Sequence, residues 1–195
     1  MPRSSGFRLL FAVAIAVVAA PHPASAQPTQ PPAVAAPEAQ VPADEALKRG
    51  EAAYEKQDYA EAMRWYRVAA DQGNPQAQVQ IGNLYTDGQG VAQDYGEAMG
   101  WFQKAAVQGN YEAQNNIGWF YLSAWGVAQD YGEAMRWFRL AADQGNEVAQ
   151  RNMAMMYVQG LGVAADRDEA IRWFKKAAAA GDDESKDALK QLGAE

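Results

Sequence analysis

Pairs of carboxylates are the residues whose types and spacing first suggest chemistry in this sequence. An aspartate precedes a glutamate by three residues four times, beginning at Asp58, Asp94, Asp130 and Asp166. Two carboxylates can divide the work of a general acid and a general base. The same spacing is typical of a helix start, where the aspartate side chain accepts hydrogen bonds from the free amides of the first turn. Because the pair recurs at regular intervals, capping explains it without a site, and we predict no catalytic residues.

Most other side chains that catalytic and metal sites use are missing. The chain has no cysteine, and its one histidine, His22, lies in a segment that we expect to be removed. A Cys/His zinc site, a nucleophile paired with histidine and an imidazole acid or base are therefore excluded. The segment Gly88-Gln89-Gly90 lacks the third glycine of a dinucleotide-binding fingerprint. We predict a protein that is not an enzyme and that has no metal site and no cofactor.

The charge of the chain argues against nucleic acid as a partner. The formal net charge is -7, and no dense block of lysine and arginine occurs. Proteins that neutralise many phosphates need such a block.

The first 43 residues have the composition of an export signal followed by a linker. Arg3 and Arg8 precede an apolar run over residues 9–20, and Ala24-Ser25-Ala26 has the small-residue pattern that signal peptidases cut. We predict a signal peptide over 1–26, cleaved after Ala26, a periplasmic or secreted product, and no stable membrane insertion. An uncleaved anchor is the alternative. Residues 27–43, rich in Pro and Ala, are predicted to be a disordered linker or, alternatively, a docking peptide.

A period of 36 residues organises the rest of the chain. It relates Trp65, Trp101, Trp137 and Trp173, and it also relates Gly73, Gly109, Gly145 and Gly181. Each period predicts two antiparallel helices. Helix A opens at an asparagine such as Asn74 and carries Gly82, which allows a neighbouring helix to approach closely. Helix B opens at the Asp-x-x-Glu pair and carries an apolar stripe such as Ala98, Phe102 and Ala105. The tryptophans of the period are predicted to be structural.

The repeated pattern resembles a known family. It runs from Ala77 through Ile81-Gly82, Leu84-Tyr85, Gly88-x-Gly90-Val91, Asp94, Glu97-Ala98, Trp101-Phe102 and Ala105-Ala106 to Gly109. This pattern is similar to the Sel-one-like repeat (SLR), a longer-looped relative of the tetratricopeptide repeat. The departures are Ala124 where glycine is usual, Arg167 at the Tyr95 position and Ala154 at the Gly82 position.

The resemblance implies an all-α fold, a right-handed α/α superhelix of about four helix hairpins plus a C-terminal capping helix. Within it we expect a tetratricopeptide-like hairpin over 44–73, three Sel-one-like repeats over 74–181, and the capping helix and tail over 182–195. Members of the family serve as adaptors and binding scaffolds, and many are exported in bacteria. Exported relatives often carry disulfides, but this chain has no cysteine, so packing alone must hold it together.

The resemblance also implies that helix A lines the inner wall of a groove, at positions that include Val79 and Glu112. The positions that differ between repeats, and that we assign to partner binding, are Trp119, Leu122, Val148, Arg151, Met155, Val158, Asn83, Asn115 and Trp125. The apolar members would form a continuous strip from Trp119 to Val158, with Arg151 beside it and Trp125 at a hairpin tip. Aromatic residues, arginine and methionine suit such an interface. The alternative is that Trp119 packs against the next unit and no groove is open.

These observations predict an exported, non-enzymatic scaffold that binds a protein or peptide, in a bacterial envelope process such as regulation, assembly or virulence. The alternative is a cell-wall-acting enzyme or a small-ligand binder. The oligomeric state is left open between a monomer and self-association through an imperfectly capped end.

Overall fold

The fold is a stack of helix hairpins, described by a computed structural model over residues 38–194. Within this part of the chain all regular structure is helical, with a short 3₁₀ turn at Glu38–Gln40 followed by nine α-helices. The helices are α1 (Ala43–Glu55), α2 (Tyr59–Asp71), α3 (Pro75–Asp87), α4 (Tyr95–Ala106), α5 (Tyr111–Ser123), α6 (Tyr131–Asp143), α7 (Glu147–Gln159), α8 (Arg167–Ala179) and α9 (Asp183–Gln191). Each helix packs mainly on the helices before and after it. The predicted all-α repeat fold with a short C-terminal helix is confirmed.

Side-chain caps start the helices at the residues that the sequence indicated. Asn74 accepts a hydrogen bond from the Ala77 amide, and its equivalents cap α5 and α7 in the same way. Asp94 accepts from the amides of Gly96 and Glu97 at the start of α4, and the other three aspartates each accept one such bond. These bonds satisfy amides that have no partner within the helix.

Only half of the expected capping box forms. In a complete box the glutamate would accept a hydrogen bond from the backbone amide of the capping residue. Here the amide of Asp94 donates instead to the carbonyl of Tyr85 in the preceding helix, at 3.0 Å, and Asp130 and Asp166 donate to Tyr121 and Tyr157 at the same distance. The long loop of each hairpin is therefore closed by a backbone bond, and the glutamate side chain is not needed for it.

The core lies between the two helices of each hairpin, and in the second and third hairpins a glycine faces a phenylalanine. Phe102, Phe138 and Phe174 are fully buried, and the alanines that flank them on helix B are also inaccessible. A Cβ added at Gly82 would lie 2.5 Å from the Phe102 ring, and one added at Gly118 would lie 2.6 Å from the Phe138 ring. The predicted close approach of neighbouring helices at these glycines is confirmed. In α7 this position is occupied by Ala154, which is also buried.

The loop inside each longer hairpin contacts the preceding hairpin. Each of these loops begins with a left-handed residue, which is Gly88, Ala124 or Gly160. Ala124 takes this conformation, with φ 58°, without the freedom that glycine has. A Cβ added at the second glycine, Gly90, would lie 2.8 Å from Tyr59 at the start of α2, so the loop lies directly on the previous helix B. The first hairpin has only three residues, 56–58, between its helices.

The N-terminal end of the stack includes residues that we had placed at the end of the linker. Arg64 of α2 forms an ion pair with Glu38, and the Gln72 amide donates to the Val41 carbonyl at 2.8 Å. Helix α1 begins at Ala43. The part of the predicted linker from residue 38 onward thus packs on the first hairpin. The predicted signal peptide, its cleavage point and linker residues 27–37 lie outside the described residues.

Tyr66 makes the first hairpin sensitive to alkaline pH. It occupies the position of Phe102 in the next repeat and is 1% exposed. Burial, followed by the nearby carboxylate of Glu51, raises the pKa of the Tyr66 phenol above its ordinary value of about 10. Between that value and the higher pKa of the folded state, the unfolded chain ionises Tyr66 and the folded chain does not. The stability due to this residue is therefore fully present below pH 10 and falls as the pH rises above it.

We expect Tyr66→Phe to remove this alkaline loss. By about pH 11 the wild-type chain should have lost roughly 1 kcal/mol relative to the variant, on top of losses that both share. Urea unfolding at pH 8, 10 and 11 measures the difference. Parallel pH profiles for the two proteins would contradict the prediction.

Candidate functional site

A hollow lies where three successive A helices meet. Its volume is about 350 Å³, within the range of about 300–1,000 Å³ that ligand pockets occupy. It is lined by α3, α5 and α7, through Val79, Asn83, Tyr111, Glu112, Asn115, Asn116, Asn146, Glu147 and Val148. We call the space that these residues line the hollow. Its lining is mainly amide and carboxylate, with two valines and a tyrosine as the apolar part.

Hydrogen bonds between side chains of successive repeats shape the hollow. The amide nitrogen of Asn116 donates to the Asn83 oxygen at 3.2 Å, and the amide nitrogen of Asn152 donates to the Asn115 oxygen at 2.9 Å. At the edge of the hollow, Gln76 donates to Glu112 at 2.8 Å. Each bond joins one A helix to the next, so the amides are held in place by the stack. Asn83 and Asn115 use only their oxygens in these bonds, and neither amide nitrogen donates to a group among residues 38–194.

The structure divides the residues that we assigned to partner binding. Asn83, Asn115 and Val148 line the hollow. Met155 and Val158 border a separate shallow cleft above Phe174. Leu122 is buried, and Trp119 is half-buried with its ring in an edge-on contact with Phe138 of its own hairpin, centroids 6.0 Å apart. The expected apolar strip thus has polar and buried interruptions. The assignment of these residues to partner binding stays a prediction.

Arg151 belongs to the contact between the last repeat and the C-terminal helix. Its guanidinium forms an ion pair with Asp182, which caps α9, and lies 3.3 Å from the Glu184 carboxylate. The Arg151 side chain is 19% exposed and that of Asp182 is 8% exposed. The positive charge that we placed beside the strip is therefore already neutralised within the chain.

Trp125 lies at the hairpin tip, as predicted, but much of its ring is in contact with the chain. It stacks on Tyr95 of α4, with centroids 5.5 Å apart and planes 11° apart, and also contacts Phe120 edge-on. Its exposure is 38%. The residue therefore joins two hairpins while leaving one part of the indole open to solvent.

Sequence reasoning missed four residues of the hollow. Tyr111, Asn116, Asn146 and Glu147 were not among the positions assigned to the inner wall, although Glu112 and Val79 were. Asn116 follows Glu112 by four residues, and this helical spacing could have identified it. The other three belong to helix starts, where we had considered only capping.

Two further properties bear on function. Among residues 38–194, no helix is both long enough and apolar enough to span a bilayer. The same residues contain no cluster of three or more His, Cys, Asp or Glu side chains placed to hold a metal ion.

Comparison with protein families decides the classification. The model described as Sel1 repeat matches residues 45–74, 75–110, 112–146 and 148–182. The chain belongs to the Sel1 repeat family. The first match falls on the short hairpin that we expected to be closer to a tetratricopeptide unit. Sel1 repeat proteins generally mediate protein–protein interactions, and the family is typically non-catalytic.

Solved structures include similar Sel1 repeat proteins. A Sel1 repeat protein from Oxalobacter formigenes is 31% identical with a TM-score of 0.71, over 76% of this chain and 62% of that one. A protective antigen of uropathogenic Escherichia coli strains, which displays an SLR fold, is 39% identical with a TM-score of 0.70, over 77% of this chain and 32% of that one.

A third structure shares the fold alone. Helicobacter pylori cysteine rich protein B is 16% identical with a TM-score of 0.53, over 65% of this chain and 96% of that one. The chain spans less than two thirds of the length of the Oxalobacter and Escherichia proteins. No curated protein matches it.

Proposed function

We propose that this Sel1 repeat protein is an exported, non-enzymatic scaffold of the bacterial envelope that holds a segment of another protein in the hollow. The observation that carries the proposal is the hollow itself, a cavity of about 350 Å³ between three A helices. Polypeptide segments bind such grooves through backbone hydrogen bonds and a few side-chain pockets. Side-chain amides offer both a donor and an acceptor, as a peptide backbone requires.

The location in the envelope is supported by the pattern at the N-terminus. A basic start, an apolar run and a small-residue cleavage pattern before Gln27 are typical of a secretory signal. The similar structures from Oxalobacter and Escherichia support a bacterial setting. Regulation, assembly and virulence are the envelope processes in which we place the scaffold.

Site-specific photocrosslinking in cells that express the full chain tests the proposal. A photoreactive residue at Asn83 is expected to crosslink one dominant envelope protein. The matched control places the same residue at Gln103, which is exposed on helix α4 of the same hairpin.

Three results would contradict the proposal. Equal crosslinking from both positions would mean that the hollow is not the binding site. No crosslink from position 83 in a folded protein would have the same meaning, and a cytoplasmic partner would contradict export.

A further inference from the structure

The hollow carries negative charge that the chain does not neutralise. Glu112 and Glu147 both line it, and its lining contains no lysine, arginine or histidine. Glu112 accepts a hydrogen bond from the neutral amide of Gln76, and Glu147 has no side-chain partner among the described residues. Both carboxylates lie in the first turn of a helix, where the helix dipole stabilises them.

The charge of Glu147 is not neutralised by Arg151, although the two residues are close in sequence. Glu147 and Arg151 are four residues apart on α7, the spacing at which an ion pair forms along a helix. Arg151 instead binds Asp182 and Glu184 of the C-terminal helix. The cation at this helical spacing from Glu147 is thus engaged elsewhere.

Asn115 offers a hydrogen-bond donor at the hollow. Asn115 is 9% exposed and lines the hollow, and its oxygen accepts a hydrogen bond from Asn152. Its amide nitrogen donates to no group within residues 38–194. This nitrogen can therefore donate to a carbonyl oxygen of a ligand that enters the hollow.

The charged positions are not required by the stacking of the repeats. The period of 36 places Pro75 and Tyr111 at the position of Glu147, and it places Gln76 and Val148 at the position of Glu112. Residues as different as these support the same helices, so the carboxylates are free to serve binding. Tyr111 is 43% exposed at the rim, where its ring can contact a cation or an aliphatic stem.

We propose that the hollow takes a lysine or arginine side chain from an extended polypeptide segment of the partner. This inference rests on the proposed function and specifies its ligand. The cationic head would pair with Glu112 and Glu147, the aliphatic stem would contact Val79 and Val148, and the flanking backbone carbonyls would accept from the asparagine amides. The net charge of -7 would attract basic segments from a distance.

Selection from a random library of N-acetylated nonapeptides, with the chain expressed from its full-length gene, tests this inference. Acetylation removes the terminal ammonium, so the only cations are side chains. We expect the selected peptides to share a lysine or arginine at one position. In fluorescence polarisation, Glu112→Gln/Glu147→Gln should weaken the best peptide about tenfold or more, and so should changing that peptide's basic residue to glutamine.

Testing the double glutamate variant against the glutamine analogue of the peptide measures the contribution of the charge pairing alone. The double variant should bind the basic peptide and its glutamine analogue equally, and the preference of the wild-type chain for the basic peptide should fall as salt is added. The matched control is Glu97→Gln, an exposed first-turn glutamate of α4 outside the hollow, which should bind as the wild type does.

The remaining outcomes separate this inference from the proposed function. Peptides that lack a shared basic residue, yet lose binding when Asn83→Arg blocks the hollow, would overturn the inference and leave the proposed function standing. Failure to select any peptide, or binding that neither Asn83→Arg nor the double variant reduces, would overturn both.

Discussion

Gly118→Ala is expected to lower the free energy of unfolding by about 1–3 kcal/mol, the cost of inserting a methyl group into a well-packed core. The added Cβ would lie 2.6 Å from the Phe138 ring, and Phe138 is fully buried. Helix propensity alone would favour alanine over glycine by about 1 kcal/mol. The close contact between α5 and α6 must therefore outweigh that gain.

Gly100→Ala provides the matched control for this prediction. Gly100 lies inside α4, and an added Cβ would have no neighbour within 4 Å. The helix-propensity gain should therefore appear uncompensated, as stabilisation of about 1 kcal/mol at most. Urea denaturation of both variants shows whether each substitution raises or lowers the free energy of unfolding. If the two substitutions shifted the midpoint in the same direction, the packing argument for Gly118 would fail.

Arg151→Ala is expected to destabilise the chain by about 2–4 kcal/mol. Removing one partner of a buried ion pair leaves the other charge without compensation, which costs about 3–5 kcal/mol when the burial is complete. Here the Asp182 side chain is 8% exposed and also caps α9 by accepting from the Ser185 amide at 2.8 Å. We expect α9 to lose its protection against hydrogen exchange before the four hairpins do.

Arg136→Ala is the corresponding surface control. Arg136 pairs with Glu133 at 2.7 Å, but the two side chains are 52% and 37% exposed. The hydrogen bond from Arg136 lowers the pKa of the Glu133 carboxyl, yet water screens most of this interaction. The loss should stay below about 1 kcal/mol. Equal destabilisation by the two arginine variants would show that Arg151 makes no special contribution to the C-terminal end.

The repeat fold could be predicted because its determinants are local. Asn74 and Asp94 cap helices through bonds that span two or three residues, and the Phe102 stripe follows the helical period. These caps and stripes recur every 36 residues, so the hairpins and their order follow from the sequence. The Glu97 side chain of the capping box was the exception, because the Asp94 amide found a carbonyl in the preceding helix.

The candidate site was harder to predict because it depends on contacts between repeats. The bond from Asn116 to Asn83 joins residues 33 apart, and the pair of Arg151 and Asp182 joins residues 31 apart. Such contacts depend on how far one hairpin is rotated and shifted against the next, which the pattern within a single repeat does not contain. Residue type alone therefore favoured an apolar strip, whereas the structure places amides and carboxylates around the hollow.

The loop that lies on the preceding hairpin has an evolutionary consequence. Gly90, Gly126 and Gly162 each meet the first residue of the previous helix B, so every internal junction is built from the same contact. An in-frame duplication of one 36-residue unit, such as 95–130, would create one more junction of a kind that already exists. The chain can thus grow or shorten by whole units through recombination between its own similar segments, and each added unit would extend the row of A helices by one.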